Sequence, residues 1–594
     1  MKRGLNQVLF QFTPGKTFDN PHDNAIEQVV NIEGDELENI DKQNLVNSIY
    51  YSAEDWDGGS TGFLPPDESN YAIIKPDKVI SRVFPLVMRC KICGKVHDYS
   101  REREELQDSD NILCERDKCE GALTQIHHVL VCGDCSSIQN IYVPGCSEHG
   151  KKFIKLDDRA DRYKNFKWVC KICDEVIGES LYGKCFDCDN TRMDATVHRA
   201  SKAYRIHSMK KVDIEYSYSR TDEDSKENQE KSKVALGAYF GTFDHPQSTI
   251  ENIMSLGGRD ESNEQNLLKE DAIGEEQIEA LKKNMPNLFE GDSKKRNIIQ
   301  TVENLREDDE LVSQNLMNYL LTLEEIDLDT VGGSKISISE SSKDLMKDRG
   351  IDKIRLTSEL PILTAVYGYH RTFDNPDKDH YPQLRSFNWV QSDGERKRPV
   401  YAKNTKTEAV FVTLDPEKVA KWLKSNNLID ETIDDKTKEQ IKALVYNKME
   451  PINPYETVNG YSDVSMYVHK LLHTMAHQMM KSGSLLSGLE ETSLAEFLFP
   501  ETLTFVIYAN QSQSYTAGGL YTLVDRDIDR WLKNAYREGR YCIYDPVCSD
   551  QGGSCHACTH IGEVGCQYFN QNLSRATLFG EEAGTDDISG YWSD

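Results

Sequence analysis

The chain has 594 residues, of which 38% are hydrophobic and 28% are charged, and its formal net charge is -29. So negative a total excludes a surface coated uniformly for nucleic acid, although it is compatible with a local basic face. The chain has no apolar run of about 18 residues and no secretory signal after its basic start, so neither a transmembrane helix nor export is expected. The 16 cysteines are therefore expected in the reducing cytoplasm, where closely spaced pairs indicate metal more often than disulfides.

Changes in composition along the chain predict an α+β multidomain protein with four regions. Residues 1–80 form a mixed N-terminal segment, and residues 81–215 form a zinc-ribbon-rich region with three metal sites. Residues 216–350 are predicted to be an acidic helical insertion, which is either an arm that docks a partner or a solvated spacer. Residues 351–594 are predicted to form a mixed C-terminal α/β domain with a metal site made of four cysteines.

Residues 13–17 read Thr-Pro-Gly-Lys-Thr and resemble part of a phosphate-binding loop. That motif needs a glycine five positions before Gly15, where this chain has Phe10. The sequence therefore disfavours nucleotide binding at Lys16.

Three sets of closely spaced ligands between residues 90 and 188 have the spacing of tetrahedral zinc sites. Two residues between paired ligands let one turn present both donors to a single ion. Taken in chain order, the sets are Cys90, Cys93, Cys114 and Cys119; Cys132, Cys135, Cys146 and His149; and Cys170, Cys173, Cys185 and Cys188. A catalytic zinc would need an open ligand position beside a general base, and the sequence suggests neither, so these metals are expected to hold small subdomains together.

A run of basic and aromatic residues follows the third set. Its candidates for contact with nucleic-acid phosphates are Arg199, Lys202, Arg205, Lys210 and Lys211. They are interleaved with His198, Tyr204 and His207, a pattern typical of nucleic-acid binding. A solvated face is the alternative interpretation.

The C-terminal region has recognisable periodic segments. Residues 360–369 and 502–509 are predicted strands, and residues 466–481 and 524–537 are predicted helices with apolar stripes. The second of these strands is apolar enough to be buried. The alternation of strands and helices indicates one mixed domain.

His473 and His477 have the spacing of a metalloprotease helix. The glutamate that serves as general base in that motif is replaced by Thr474. His469 falls on the same helical face. We therefore interpret these histidines as part of a core-edge or interface helix.

A fourth cysteine set lies near the C-terminus. Its predicted ligands are Cys548, Cys555, Cys558 and Cys566, with Cys542, His556 and His560 nearby as further candidates. Zinc is the favoured ion, and an iron–sulfur cluster is the alternative.

Several segments together resemble the DrmB family. The N-terminal segment at residues 5–19 is similar to that family's opening, and residues 84–93 are similar to its first zinc knuckle. The C-terminal half resembles the domain that DrmB shares with MrfA-type helicases. The segments that carry this second resemblance are residues 471–477, 505–509, 516–520, 545–548, 554–558 and 566–570. The resemblance maps the family's four metal-binding cysteines onto Cys548, Cys555, Cys558 and Cys566.

The DrmB resemblance implies a role in DISARM-type antiphage defence in bacteria or archaea. It implies a non-catalytic zinc-binding subunit that pairs with a DrmA-like helicase on phage DNA with single-stranded character, with the ATPase in the helicase. The alternative is an unrecognised metal-dependent nuclease or hydrolase. Such an enzyme would need converging carboxylates or a nucleophile beside a base, and the sequence suggests neither. A zinc-dependent transcription or RNA-processing factor is a third hypothesis.

Overall fold

The computed structural model of the protein covers both ends of the chain and much of its middle. The described residues are 4–21, 25–54, 65–100, 113–212, 338–371, 384–450, 462–510 and 518–593, apart from residues 39, 41, 66, 117, 180, 182, 189–191, 563, 564, 567, 569 and 585–587. The predicted acidic insertion at residues 216–350 lies outside the described residues as far as residue 337. Among the residues that are described, no helix is long and apolar enough to cross a membrane.

The N-terminal segment is a mixture of two helices and three strands. In chain order these are α1 (Leu5–Gln11), β1 (Thr17–Asn20), β2 (Ala25–Glu36), α2 (Lys42–Glu54) and β3 (Tyr71–Val83). The long strands β2 and β3 pair antiparallel, with Ile32 opposite Val79. Four consecutive residues are buried near the start of each strand, residues 26–29 of β2 and 71–74 of β3, and the later parts of both strands are more exposed.

The cysteine-dense middle is built from short strands. They are β4 (Val87–Cys90), β5 (Val96–Asp98), β6 (Leu123–Gln125), β7 (His128–Val131), β8 (Ile138–Asn140), β9 (Ile154–Asp157), β10 (Lys167–Cys170), β11 (Val176–Glu179), β12 (Asp194–Val197) and β13 (Arg205–Val212). Nine of them form three small sheets with the strand orders β5-β4-β6, β12-β7-β8 and β11-β10-β9. Such short strands are not stable alone, and the three sheets share an apolar core that includes Val87, Leu130 and Trp168.

The C-terminal part alternates helices and strands. Its elements are α3 (Glu340–Asp348), β14 (Ile351–His370), β15 (Arg385–Ser386), β16 (Val390–Ser392), β17 (Glu395–Leu414), α4 (Pro416–Ser425), α5 (Lys438–Asn447), α6 (Asp463–Ser487), β18 (Leu494–Phe499), β19 (Thr504–Ala509), α7 (Gly519–Arg540), α8 (Val547–Asp550) and α9 (Ala576–Phe579). The predicted helices at 466–481 and 524–537 lie within α6 and α7, and the predicted strands lie in β14 and β19. The mixed α+β architecture is thereby confirmed.

The chain divides into two compact units whose limits differ from the predicted domains. The first unit comprises residues 1–210 and 363–403, and the second comprises residues 211–362 and 404–594. The predicted domain 351–594 is therefore not a single unit. The physical reason is the length of β14 and β17, since each strand has 20 residues and contributes a part to each unit.

In the first unit the main sheet has the order β1-β2-β3-β17-β14-β13. Strand β17 joins β3 in parallel, with Arg398 opposite Tyr71 and Tyr401 opposite Ile74. Helix α2 buries Leu45, Val46 and Ile49 in the core on this sheet. The three small sheets belong to the same unit.

The second unit is organised around α6. Ser462 accepts a hydrogen bond from the backbone N–H of Ser465 at its start, and Gly488 ends it with a φ of +71°. The helix packs on β18, β19 and α7 within one large apolar core. On α7, Trp531 donates its indole N–H to the carbonyl oxygen of Met479 over 2.7 Å, which fixes the two helices against each other.

Candidate metal centres

The first cysteine set lies on the β5-β4-β6 sheet and comes together as the sequence predicts. The Sγ atoms of Cys90 and Cys119 are 3.6 Å apart, and those of Cys93 and Cys114 are 3.7 Å apart. All four sulfurs lie within 4.8 Å of one another. Buried His97 places Nε2 at 3.4 Å from Sγ of Cys114, where it can orient that side chain.

The turn after β4 favours the thiolate form that a metal requires. Burial opposes ionisation of Cys90, but the backbone N–H groups of Cys93 and Ile92 each lie 3.4 Å from its Sγ and outweigh burial, lowering the pKa to about 6. A side chain at position 121 would collide with this sulfur, and Gly121 leaves the space clear. Both features fit a cysteine that binds metal as an anion.

The structure corrects the second predicted set. Cys132 and Cys135 do not join Cys146 and His149 but face a later pair, since Sγ of Cys132 lies 3.6 Å from Sγ of Cys188 and Sγ of Cys135 lies 3.5 Å from Sγ of Cys185. Strand pairing explains this. β12 runs antiparallel to β7 with Asp194 opposite Val131, so the chain that follows Cys188 returns beside Cys132.

The third predicted set is corrected in the same way. Cys170 and Cys173 meet Cys146 and His149: Nδ1 of His149 lies 3.6 Å from Sγ of Cys146 and 3.8 Å from Sγ of Cys170. β10 runs antiparallel to β9, with Cys170 opposite Ile154, and this brings the two pairs together. The third site is therefore nested in the chain between the two halves of the second.

The sulfur distances show that a four-coordinate metal fits these sites. A tetrahedral zinc with Zn–S bonds of about 2.3 Å separates its sulfurs by about 3.8 Å. The close sulfur pairs range from 3.5 Å between Cys135 and Cys185 to 3.8 Å between Cys146 and Cys173. These separations are far longer than the roughly 2 Å of a disulfide bond. The clusters could each hold a metal ion, consistent with zinc.

In the fourth set Cys542 takes the place predicted for Cys566. Sγ of Cys542 lies 3.5 Å from Sγ of Cys555, and Sγ of Cys548 lies 3.6 Å from Sγ of Cys558. All four sulfurs are within 4.8 Å of one another. The chain thus supplies five cysteines for four positions here. The resemblance placed Cys566 in the site and left out Cys542, whereas the structure has the reverse.

A buried arginine shapes the turn that carries Cys542. The backbone N–H of Cys542 donates to Oδ2 of Asp545 over 2.7 Å, and the other oxygen of Asp545 accepts from Nη2 of Arg575, also over 2.7 Å. Arg575 further donates to the carbonyl oxygens of Gly553 and Arg540. The segment from 540 to 553 is therefore gathered around one guanidinium group.

Cys566 belongs to a separate group that the sequence did not predict. Its Sγ lies 3.1 Å from Nε2 of His473, beside His477 and Glu496, and all four side chains are buried. The expectation that the α6 histidines lie at a core edge or interface is thus wrong, because both are fully enclosed. The spare fifth cysteine and the His-x-x-x-His spacing were the signals in the sequence that point to this group.

The basic run does not form one continuous face in the structure. Arg199 is exposed and forms an ion pair with Asp19. Side chains alternate between the two faces of β13, so Arg205 and Lys211 lie on one face and Lys210 lies on the other. Burial, and then the charge of Lys403, lowers the pKa of Lys210 to about 7. Contact between nucleic acid and Arg199, Lys202, Arg205, Lys210 and Lys211 stays a prediction.

Residues 13–17 form a turn between α1 and β1, unlike the strand–loop–helix of a phosphate loop. Lys16 donates its Nζ proton to the carbonyl oxygen of Phe10 over 2.9 Å, and burial lowers its pKa. The carbonyl oxygen of Gly15 accepts from Nη2 of Arg371 over 2.6 Å. Polar groups of the protein thus engage the turn where a phosphate would need donors.

The fold and the cysteine sites define a multidomain α+β protein with several clusters suited to metal. A family model described as a domain of unknown function, DUF8724, matches residues 4–205. The chain is also 26% identical over 241 residues to the DISARM protein DrmB of Bacillus paralicheniformis.

This alignment spans 38% of the chain and 40% of that relative, so the chain matches about two fifths of the length of the curated protein. The predicted resemblance to DrmB is confirmed. The resemblance of the C-terminal half to MrfA-type helicases stays a prediction.

Proposed function

We propose that this chain is a metal-stapled subunit of a DISARM-type antiphage defence assembly, with a structural rather than a catalytic role. It pairs with a DrmA-like helicase, which supplies ATP hydrolysis, and helps that helicase to engage invading DNA in the cytoplasm. The observation that carries this proposal is the similarity to the DISARM protein DrmB, at 26% identity over 241 residues.

The geometry of the cysteine sites supports the structural role. Each of the four sites offers four protein donors, so a tetrahedral zinc would have no position left for water or substrate. A catalytic zinc keeps such a position open. The donors of the nested second and third sites come from segments that are distant in the chain. An ion bound there would hold these segments together, as a structural ion does.

Co-purification with the helicase is the direct test of the partnership. The full chain is expressed together with a DrmA-type helicase from the same genome, with and without single-stranded DNA. We expect the two to coelute in size-exclusion chromatography and ATP hydrolysis to depend on the helicase alone. Separate elution under both conditions, or cleavage of DNA by this chain in the presence of Mg²⁺ or Mn²⁺, contradicts the proposal.

The basic run provides a sharper test of DNA contact. Replacing Arg199, Lys202 and Arg205 by alanine should weaken DNA retention and make its salt dependence shallower, by about 0.7 in the logarithmic slope for each lost contact to single-stranded phosphate. The matched control replaces three exposed arginines of α7 by alanine: Arg526, Arg530 and Arg537. Both variants lose three positive charges. Equal weakening in both would mean that only net charge matters and that the basic run is not the contact.

A further inference from the structure

A buried group in the second unit brings together two imidazoles, a carboxylate and a thiol. His473 and His477 lie one helical turn apart on α6, Glu496 lies on β18, and Cys566 follows in the C-terminal segment. Nε2 of each histidine lies 3.0 Å from Oε1 of Glu496, and Nε2 of His473 lies 3.1 Å from Sγ of Cys566. The four donor atoms lie within 4.8 Å of one another.

The hydrogen bonding of His477 indicates that a proton or a metal ion lies between its Nε2 and Oε1 of Glu496. Its Nδ1 lies 2.8 Å from the carbonyl oxygen of Thr559, which can only accept, so Nδ1 carries the proton. A neutral imidazole then points a lone pair from Nε2 at Oε1 of Glu496. A carboxylate oxygen is also an acceptor, and two acceptors at 3.0 Å repel each other unless a proton or a metal ion lies between them.

A second proton on His477 would not satisfy the whole group. The same oxygen of Glu496 also faces Nε2 of His473, and that nitrogen faces the sulfur of Cys566. One proton can occupy one of these contacts, whereas a metal ion accepts electron pairs from all four donors at once. Oε2 of Glu496 is buried and has no hydrogen-bond partner among the described residues, which is a further cost for a carboxylate without a cation.

We propose that His473, His477, Glu496 and Cys566 bind one divalent transition-metal ion, which the ligand set identifies as zinc. Two neutral imidazoles, one carboxylate and one thiolate carry a charge that balances a 2+ ion. Zinc accepts nitrogen, oxygen and sulfur donors in one tetrahedral site. All four side chains are buried, and four protein donors complete the coordination, so the ion is structural.

Neighbouring groups hold the donor side chains in place. Thr559 fixes the ring of His477, and the backbone N–H of Asn570 donates to Sγ of Cys566 over 3.2 Å. On α6, Gln478 donates to the carbonyl oxygen of Cys558 over 2.9 Å. The fifth ion therefore ties α6 and β18 to the segment that carries the fourth cysteine site, and the two sites share the stretch at residues 558–559.

Metal content provides the first test, with Glu496→Gln as the variant. Glutamine keeps the size of the side chain and removes the charge that a metal needs. We expect about five zinc ions per wild-type chain, one for each group of donors, and one fewer in Glu496→Gln. The matched control is His469→Gln, which changes a buried histidine one turn earlier on α6 and outside the group. The control should retain the wild-type number.

X-ray absorption at the zinc edge of the wild-type chain provides a second test that needs no variant. The four cysteine-rich sites alone supply one nitrogen among 16 donors, whereas five sites supply four nitrogen or oxygen donors among 20. The higher fraction supports the proposal. The lower fraction, or equal zinc content in wild type and Glu496→Gln, overturns it, and iron in place of the fifth zinc overturns the choice of metal.

Discussion

The knuckle region, residues 87–197, and the C-terminal metal region, residues 541–566, both concentrate cysteines but hold them on different scaffolds. In the knuckle region, pairs of ligands stand at the ends of short strands, such as Cys90 at the end of β4 and Cys170 at the end of β10. In the C-terminal metal region, Cys548 lies on the short helix α8, and the other cysteines lie in turns and irregular segments. That region rests on the long helix α6 through Gln478 and His477.

The difference shows what determines the partners of each cysteine. Strand register selects them in the knuckle region, because β7 with β12 and β9 with β10 bring distant pairs face to face. In the C-terminal metal region, contacts with the large core select them. There, Cys566 lies against His473 of α6 and not with the other cysteines. A bound metal would supplement a small apolar core in the first case and would extend the large core around α6 in the second.

The nested pairing in the knuckle region leads to the prediction with the largest effect. Replacing Cys132, Cys135, Cys185 and Cys188 together by serine should remove one metal ion, because the four belong to one site. The matched control replaces Cys132, Cys135, Cys170 and Cys173 and should remove two, because it damages two sites. Structural zinc contributes about 10–16 kcal/mol of apparent binding free energy. Each lost ion should therefore lower the free energy of unfolding by an amount that is easily measured.

Elemental analysis of the two purified variants checks this prediction. Both carry four serines, so the difference between them reports pairing alone. If the pairs combined with their nearest neighbours in the sequence, each variant would damage two sites, so loss of two ions from both variants would contradict the nested arrangement. In the nested arrangement, the inner site of Cys146, His149, Cys170 and Cys173 should keep its ion in the first variant.

The sequence predicts half of this arrangement. The two-residue gaps identify which neighbours form a pair, since one turn fixes both donors locally. Which pairs combine depends on the register of β7 with β12, where Asp194 lies opposite Val131 across more than 60 residues of chain. No local spacing encodes that register. The periodic segments that became α6, α7, β14 and β19 were predictable because each carries its own apolar pattern.

The buried group on α6 was not predicted for a similar reason. The His-x-x-x-His spacing was visible, but Glu496 lies in an apolar strand and Cys566 had a closer set of cysteines to join. The division of the chain into two units was also hidden, because β14 and β17 each run on from one unit into the other without a change in composition. Contacts between distant segments decide both features.

A second prediction concerns the arginines that hold the loops of the cysteine sites. Arg575 pairs with Asp545 of the C-terminal metal region, whereas Arg371 in the first unit binds carbonyl oxygens of Gly15, Ser136 and Ala203. Ser136 follows the ligand Cys135 directly. Arg371→Ala removes one donor from each of these three carbonyl oxygens, of which Gly15 keeps a second donor in Gln28. We therefore expect a loss of stability on the order of 3 kcal/mol.

Arg385 offers the matched control for Arg371. It donates one hydrogen bond, over 3.3 Å, to the carbonyl oxygen of Cys135 in the same loop, and it is half-buried. Arg385→Ala should therefore cost about 1 kcal/mol. Urea unfolding gives the two free energies, and hydrogen exchange of residues 128–140 locates the change. Equal losses in the two variants would mean that Arg371 does not have the central role that its contacts indicate.

The buried histidines of the two units also differ in their surroundings, and this difference leads to the prediction with the smallest effect. In the second unit, His473 and His477 converge on a carboxylate and a thiol. In the first unit, buried His207 and His370 contact each other, with Nε2 of His207 at 2.7 Å from Nδ1 of His370. Burial, followed by the charge of Arg205, lowers the pKa of His370 to about 3, and burial followed by the neighbouring His370 and Arg205 lowers the pKa of His207.

These pKa shifts predict a loss of stability in mild acid. Histidine in the unfolded chain takes up a proton near pH 6.5, whereas the folded pair stays neutral until the pH approaches the lowered pKa of about 3 for His370. The unfolded state therefore binds more protons in this window, and the free energy of unfolding rises with pH across it. The pair's contribution is complete above about pH 6.5 and falls on the order of 3 kcal/mol as the pH drops through the window.

The double variant His207→Leu with His370→Leu isolates this effect from other groups that titrate, including the cysteine ligands. Wild type and variant are unfolded in urea at several values between pH 7.5 and 4.5. The free energy of unfolding of wild type minus that of the variant should fall as the pH falls. The single variant His207→Leu should be less stable than the double variant at pH 7.5, because it removes the contact that His370 makes with His207 while His370 stays buried. A pH-independent difference between wild type and double variant would mean that the pair is not neutral in the folded protein, and the contrast with the donors on α6 would then rest on geometry alone.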